Sequence, residues 1–292
     1  INPKIVKGTY FCNSSQDVID MFTKLTTHVK KYLNTTVTDL EYDKHFKIKT
    51  SAKIIEAKKV VVASGGLSYA MLGASSIAFD IAKKFGHSIT KLEPALVGFT
   101  VQKEQFWFKN LSGISMPVFT FVDEKSFEGS LLFAHKGCSG PVILTSSLYW
   151  KKGKMAIDFL PKQKIETFFQ GNKIISSALP LPKRFIQEFL ASVELEDKSV
   201  STLSKEEKDK LKLLKYYEFS PAGNFGYTKA EVTKGGINTD EINHQTFESL
   251  KQKDLYFLGE CLDITGELGG FNFQIAFSEA FVCAKELNKK DV

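Results

Sequence analysis

Residues 256–281, YFLGECLDITGELGGFNFQIAFSEAF, restrict what this chain can fold into more than any other stretch. Leu255 to Leu258 reads as a buried strand, and Gly259 follows as a turn. Glu260 and Asp263 stand three residues apart, and Gly269 and Gly270 form an adjacent pair. An amphipathic helix then begins near Phe271 or Asn272. Adjacent glycines let the backbone approach a ligand without Cβ clashes. A helix that starts there presents free N–H groups to whatever lies above it. Acids just after the strand can accept hydrogen bonds from sugar or polyol hydroxyls. Together these features fit half of a dinucleotide cradle. The same spacing also fits an ordinary strand–turn–helix with a glycine-rich corner.

The rest of the chain divides by texture. Ser14–Leu33 reads as a helix, with Ser14 or Ser15 as cap, Asp17 at its positive end, and Val18, Phe22, Leu25, Val29 and Leu33 on one face. Thr36–Tyr42, Phe46–Thr50 and Lys53–Glu56 read as an antiparallel meander. Lys59–Ser64 suits a strand buried on both faces, and Ser76–Phe85 a helix closed by Gly86. From residue 93 the pattern turns β-rich, through ALVGFTV, MPVFTFV, SLLFA and KMAIDFL, with a helix at Ser139–Trp150. It turns helical over 162–215, with helices expected at Lys164–Phe169, Lys183–Ser192 and Ser204–Leu214, and strand-like again at Tyr216–Phe219 and Lys229–Thr233. An α/β piece closes the chain. The expected division is therefore 1–92, an insert over 93–228 (β-rich at 93–161 and 216–228, helical between), and 229–292.

Composition narrows the function classes. The chain has 292 residues, 43% hydrophobic and 25% charged, as a globular protein has. The net charge is +6, but Arg184 is the single arginine and no basic run exceeds a few residues. Base readout and bidentate phosphate recognition favour arginine, so no specific nucleic-acid partner is expected. Cys12, Cys138, Cys261 and Cys283 are widely spaced and read as reduced thiols of a cytoplasmic protein. No apolar run is long enough for a membrane span. His28, His45, His87 and His244 lack ligand spacing, so no metal site is expected.

Four ordered stretches carry a family resemblance: VVVASGGLSYAMLG from Val60, FAHKGCSGP from Phe133, AEVTKGGI from Ala230, and GECLDITGELGGFN from Gly259. The last is similar to a G-E-x-L-D-x-x-G-x-x-G-G-F/Y-N element followed by a Q-x-A-F helix. The chain resembles the BaiN-like and aminoacetone-oxidase-like FAD-dependent oxidoreductases. The resemblance implies a Rossmann-like FAD-binding domain, interrupted by an insert with a β-barrel-like and a helical subdomain. Members of that family start with a strand and a G-x-G-x-x-G turn for the FAD pyrophosphate. No such turn occurs in these 292 residues, so the resemblance implies an N-terminal unit outside them, and little FAD bound without it.

On this reading the cofactor contacts are Gly65, Gly66, Gly259, Glu260, Asp263, Gly269, Gly270, Phe271, Asn272 and Gln274. Asp263 is the first choice for a ribityl contact, and Asn272 alternatively caps the helix. His135 is the one candidate for catalysis, with a turn histidine as the plainer alternative. The expected function is hydride transfer between flavin and a small organic substrate, with NAD(P)H or oxygen as second partner. A flavoprotein of tRNA modification is one alternative, and a non-catalytic remnant acting as an interaction module is another. The motifs are cofactor motifs and name no substrate.

Overall fold

The computed structural model describes residues 3–6 and 9–289. The chain opens with a hairpin, β1 (Lys4–Val6) and β2 (Thr9–Phe11), followed by helix α1 (Ser15–Leu25). Ser14 and Asp17 form a reciprocal capping box: the Asp17 N–H donates to Ser14 Oγ (3.3 Å) and the Ser14 N–H to Asp17 Oδ2 (3.2 Å). The expected helix to Leu33 stops short. Thr26 turns its hydroxyl back onto the Phe22 carbonyl (2.6 Å) and the helix ends there. A threonine bonding to its own preceding turn competes with helix continuation, so Val29 and Leu33 lie beyond the helix, exposed.

A meander follows: β3 (Val37–Asp43), β4 (His45–Thr50) and β5 (Ile54–Ala57). Then come β6 (Val60–Val62), α2 (Ile77–Lys84), closed by Gly86 at φ +87°, and β7 (Glu93–Ala95). The middle of the chain supplies β8 (Phe99–Val101), α3 (Trp107–Asn110), β9 (Ser115–Val122), β10 (Lys125–Ala134), β11 (Gly137–Ser139), α4 (Pro141–Tyr149) and β12 (Met155–Asp158). Helices α5 (Ile175–Ala178), α6 (Lys183–Ser192) and α7 (Lys205–Lys212) precede β13 (Tyr217–Phe219) and β14 (Pro221–Asn224). The expected helix at Lys164–Phe169 is a single tight 3-10 turn, Ile165–Phe169. The chain closes with β15 (Val232–Lys234), β16 (Leu255–Phe257) and α8 (Phe271–Lys289).

The α/β part rests on β16 running parallel to β6, with Leu255 opposite Val60 and Phe257 opposite Val62. Both segments are short apolar runs, as a strand covered on both faces requires. Their core joins Phe79 and Ala82 of α2 to Phe46 of the meander and to Ile237, Leu255 and Phe257. The β-rich texture resolves into one seven-stranded antiparallel sheet, ordered β13-β12-β9-β10-β11-β8-β14. A second, larger core lies between this sheet and the helices, centred on Trp107, Phe108, Phe133, Phe159, Phe185 and Phe189. A small third cluster, Ala95, Leu96, Leu148 and Val232, sits where the two parts meet, beside the β7–β15 pair. Trypsin is expected to cut first at the exposed Lys91 and Lys229, leaving a resistant piece between them. Earlier cuts inside that piece would contradict two separate cores.

Helix α8 buries Glu279 and Cys283 and leaves much of its apolar surface open, with Phe273 at 74% and Phe281 at 72% exposure. The Phe277 ring stacks on Phe22 of α1 at 6.0 Å between centroids.

His87 ties the end of α2 to the loop before β16. Its Nε2 lies 2.7 Å from Ser249 Oγ, which itself accepts the N–H groups of Lys251 (3.1 Å) and Gln252 (2.9 Å). The serine proton therefore goes to Nε2. Nδ1 stands 3.3 Å from Glu241 Oε2 without hydrogen-bond alignment. Lys251 bonds Glu241 and holds its carboxyl down at about 2. Burial lowers the His87 pKa; Glu241 opposes that shift and Lys251 adds to it. The unfolded chain then binds the imidazole proton more readily than the folded one. The contribution of His87 to stability is expected to be flat above the ordinary imidazole pKa of about 6.5 and to fall below it, by at most about 1.4 kcal/mol per pH unit. Denaturant titrations across pH should show that slope, and His87→Gln should remove it.

Candidate functional site

Three of the four sequence motifs meet in one knot. After β16, Gly259 turns the chain at φ +76°, and its N–H donates to Glu279 Oε2 of α8 at 2.5 Å. Glu260 Oε1 accepts the Thr233 N–H (2.8 Å), and Thr233 Oγ1 accepts the Leu67 N–H (2.7 Å). A Cβ on Gly66 would lie 2.4 Å from both Glu260 Oε1 and Thr233 Oγ1. Only glycine leaves room for that junction of VVVASGG, AEVTKGGI and GECLD. Gly236 serves the same end, since a Cβ there would meet the backbone of Cys261 and Leu262 within 2.6 Å, while Gly235 gives room to the Lys91 carbonyl.

The loop from Gly266 to Gly270 is held by Asn272. Its Oδ1 accepts the Gly266 N–H (2.8 Å) and its Nδ2 donates to the Gly266 carbonyl (3.1 Å). This is a loop clamp, a role beyond the flavin contact and the helix cap considered from sequence. Gly269 and Gly270 follow at φ +127° and +91°, a region that L side chains rarely adopt. The first helical hydrogen bond runs from the Gln274 N–H to the Gly270 carbonyl (3.0 Å). The N–H groups of the first turn thus have no acceptor within the helix.

Above this corner lies a cleft of about 420 Å³. Of the residues expected at the cofactor, Gly65, Gly259, Glu260, Gly269, Gly270 and Asn272 line it. Four do not. Gly66 is inside the knot beneath it. Asp263 is exposed and uses its N–H on the Ile237 carbonyl. Phe271 is exposed, and Gln274 points outward to Ser278 Oγ (3.0 Å). His135 sits exposed in the turn between β10 and β11, away from the cleft lining. The walls are largely apolar, from Leu96, Val232, Leu258, Leu268 and Phe273, with Glu231 and Glu267 among them.

Glu231, Glu267 and Glu279 were not singled out by sequence reading. Glu279 had a signal: with Cys283 it marks the inward stripe of α8 at i, i+4. It is 4% exposed, its Oε1 has no protein partner, and burial raises its pKa, with the Gly259 N–H pulling the other way. Partial desolvation also raises Glu231, although the residue is exposed. The Cys261 thiol, just under the knot, is pushed up to about 12 by burial and then by Glu279, so it is no thiolate at neutral pH. Among the described residues no group of His, Cys, Asp and Glu could hold a metal ion, and no helix is long and apolar enough to cross a membrane.

The sequence profile of the HI0933-like protein Rossmann domain matches residues 4–286. A protein of Haemophilus influenzae named ribosomal RNA dihydrouridine synthase is 37% identical over 80% of this chain and 61% of its own length. One of the same name from Escherichia coli is 34% identical over 96% of this chain and 74% of its own length. A 3-dehydro-bile acid delta(4,6)-reductase of Clostridium scindens is 26% identical over 88% of this chain and 69% of its own length. The chain thus spans about three-fifths of the Haemophilus relative. With the match running through the parallel β6–β16 pair, the knot and the glycine corner, the chain has a Rossmann-like fold and belongs to the HI0933-like protein Rossmann domain family.

Proposed function

We propose that the protein is a flavin-dependent reductase that adds hydrogen across a carbon–carbon double bond of an unsaturated ring, with a uracil base of ribosomal RNA as the substrate. The observation that carries this reading is the convergence of the glycine motifs on one apolar cleft at the start of α8. The names of the three relatives agree on the chemistry: dihydrouridine is uridine with its ring double bond saturated, and a delta(4,6)-reductase also acts on ring double bonds. The two RNA-related names come with the higher identities, which favours RNA over a small free substrate. The low arginine content remains unusual for an RNA-binding surface, and lysine would have to supply the charge.

The cleft fits a flavin. A Cβ on Gly65 or on Gly270 would meet nothing within 4 Å, so the backbone at both corners is open to a close-lying ring. The apolar walls suit a flat ring, and Glu260 and Glu267 offer acceptors for ribityl hydroxyls. When bound, FAD would supply the hydride, with NAD(P)H as the reductant that restores it. The chain's own groups do the rest. N–H groups at the start of α8 favour negative charge beside them. Leu258 and Leu268, with Phe273 at the open edge, would shield a bound ring from water. Glu231 lines the cleft wall, and although the side chain is exposed its pKa is shifted upward, so it is the cleft carboxyl placed to hold a proton for the substrate. Mass spectrometry of ribosomal RNA nucleosides tests the reading: cells lacking the protein should lose dihydrouridine and regain it on complementation. An unchanged dihydrouridine content would contradict the RNA substrate.

A further inference from the structure

We propose that a second cleft, beside the first, binds the phosphate of the substrate nucleotide through Lys125, Lys151 and Lys234. The inference rests on the RNA reading for the source of that phosphate; the lysines and the cleft stand independently of it.

The second cleft has about 720 Å³ and is lined by these three lysines with Tyr149, Thr265 and Glu267. Glu267 lines both clefts, so the strap that carries it is the wall between them. The Tyr149 hydroxyl donates to Glu267 Oε1, which fixes the carboxylate at that wall and leaves its charge in place. Tyr149 is itself fixed, stacked on Phe127 at 5.2 Å between centroids. A group bound in the second cleft therefore sits one side chain away from the ring-binding cleft. That is the arrangement a nucleotide needs, with its base laid over the flavin at the mouth of the first cleft and its phosphate in the second.

Two of the three ammonium groups are held in place. Lys125 Nζ lies 3.8 Å from the Tyr149 ring centroid, and Lys234 Nζ donates to the Leu148 carbonyl at 2.7 Å. Neither contact neutralises the charge. Some lysines elsewhere are neutralised by ion pairs, such as Lys49 with Glu41, Lys84 with Asp39, Lys154 with Glu218, Lys162 with Glu128, and Lys215 with Asp158. Among the described residues Lys125, Lys151 and Lys234 make no ion pair, although Asp123 and Glu124 stand on the rim of the same cleft. With Glu267 these rim acids balance the three lysines in formal charge, so the local placement of the ammonium groups, not a net positive field, would hold an oxyanion, and the subsite is weak and exchangeable rather than a tight phosphate trap. A lysine ammonium recognises phosphate as a point charge and needs no arginine fork. The cleft thus answers how an arginine-poor protein could hold an RNA substrate.

Calorimetric titration of the full-length protein with inorganic phosphate, uridine 5′-monophosphate and succinate tests this. Wild-type protein should bind the monophosphate and phosphate, and succinate at least about tenfold more weakly. Lys151→Glu and Lys125→Glu should each weaken the monophosphate by at least about tenfold. FAD affinity, measured on the same samples, should not change. If FAD fails to bind while the lysine-dependent phosphate binding persists, the flavin reading fails and this inference stands. Phosphate and monophosphate binding indifferent to both substitutions would overturn it. So would succinate binding as tightly as phosphate, or a parallel loss of FAD affinity, which would make the cleft part of the cofactor site.

Discussion

Gly236→Ala is expected to destabilise the protein by about 3 kcal/mol or more, the upper range for overpacking a core position. The new methyl would lie 2.5 Å from the Leu262 carbonyl carbon and 2.6 Å from the Cys261 oxygen. These are backbone atoms and cannot rotate away. Moving them would break the Ile237 N–H to Cys261 carbonyl bond (2.8 Å) and the Asp263 N–H to Ile237 carbonyl bond (3.0 Å) that hold the knot. Gly153→Ala is the control. It carries a positive φ of +92° but meets nothing within 4 Å, so it should cost only the left-handed strain of about 1–2 kcal/mol. Denaturant unfolding separates the two. Equal losses would mean that the knot is looser than described.

Gly270→Asp is expected to weaken FAD binding by at least about tenfold relative to Gly270→Asn. Both side chains enter the open space above φ +91° and carry the same backbone strain. They differ in one negative charge. Placed at the start of α8, that charge stabilises the helix end but repels an anionic cofactor at the same spot, and a unit charge at contact distance is worth on the order of 1–4 kcal/mol in a partly solvated site. A fluorescence titration with FAD gives the ratio. Equal affinities of the Asp and Asn variants would remove the glycine corner from the cofactor site.

How much of this was legible in the sequence depends on the range of the forces involved. Local patterns located α6 at Lys183–Ser192 and the strand at Leu255, because periodicity and caps are properties of neighbouring residues. The glycine corner was legible for the same reason. The Thr26 stop was not, since it turns on one hydroxyl choosing its own helix carbonyl. The site residues divide along the same line. Gly65, Gly259 and Gly270 reach the cleft by backbone position. Glu260 lines it too, but one of its oxygens is taken by the Thr233 N–H, a partner 27 residues away. Asp263 and Gln274 carry side chains that rotate outward, which spacing along the chain does not encode. Glu231 and Glu267 enter the cleft through the β7–β15 pairing and the α4 contact, both long-range. The second cleft has no sequence signature, because its lysines come from β10, from the segment after α4 and from β15.

The most direct test of the account is amide hydrogen exchange of the full-length protein with and without FAD, read by peptide. The account predicts slower exchange on FAD binding in peptides covering 63–67 and 258–274, and no change in those covering the α6 and α7 helices. FAD that binds without protecting the Gly259–Asn272 segment, or that protects the seven-stranded sheet instead, would contradict it.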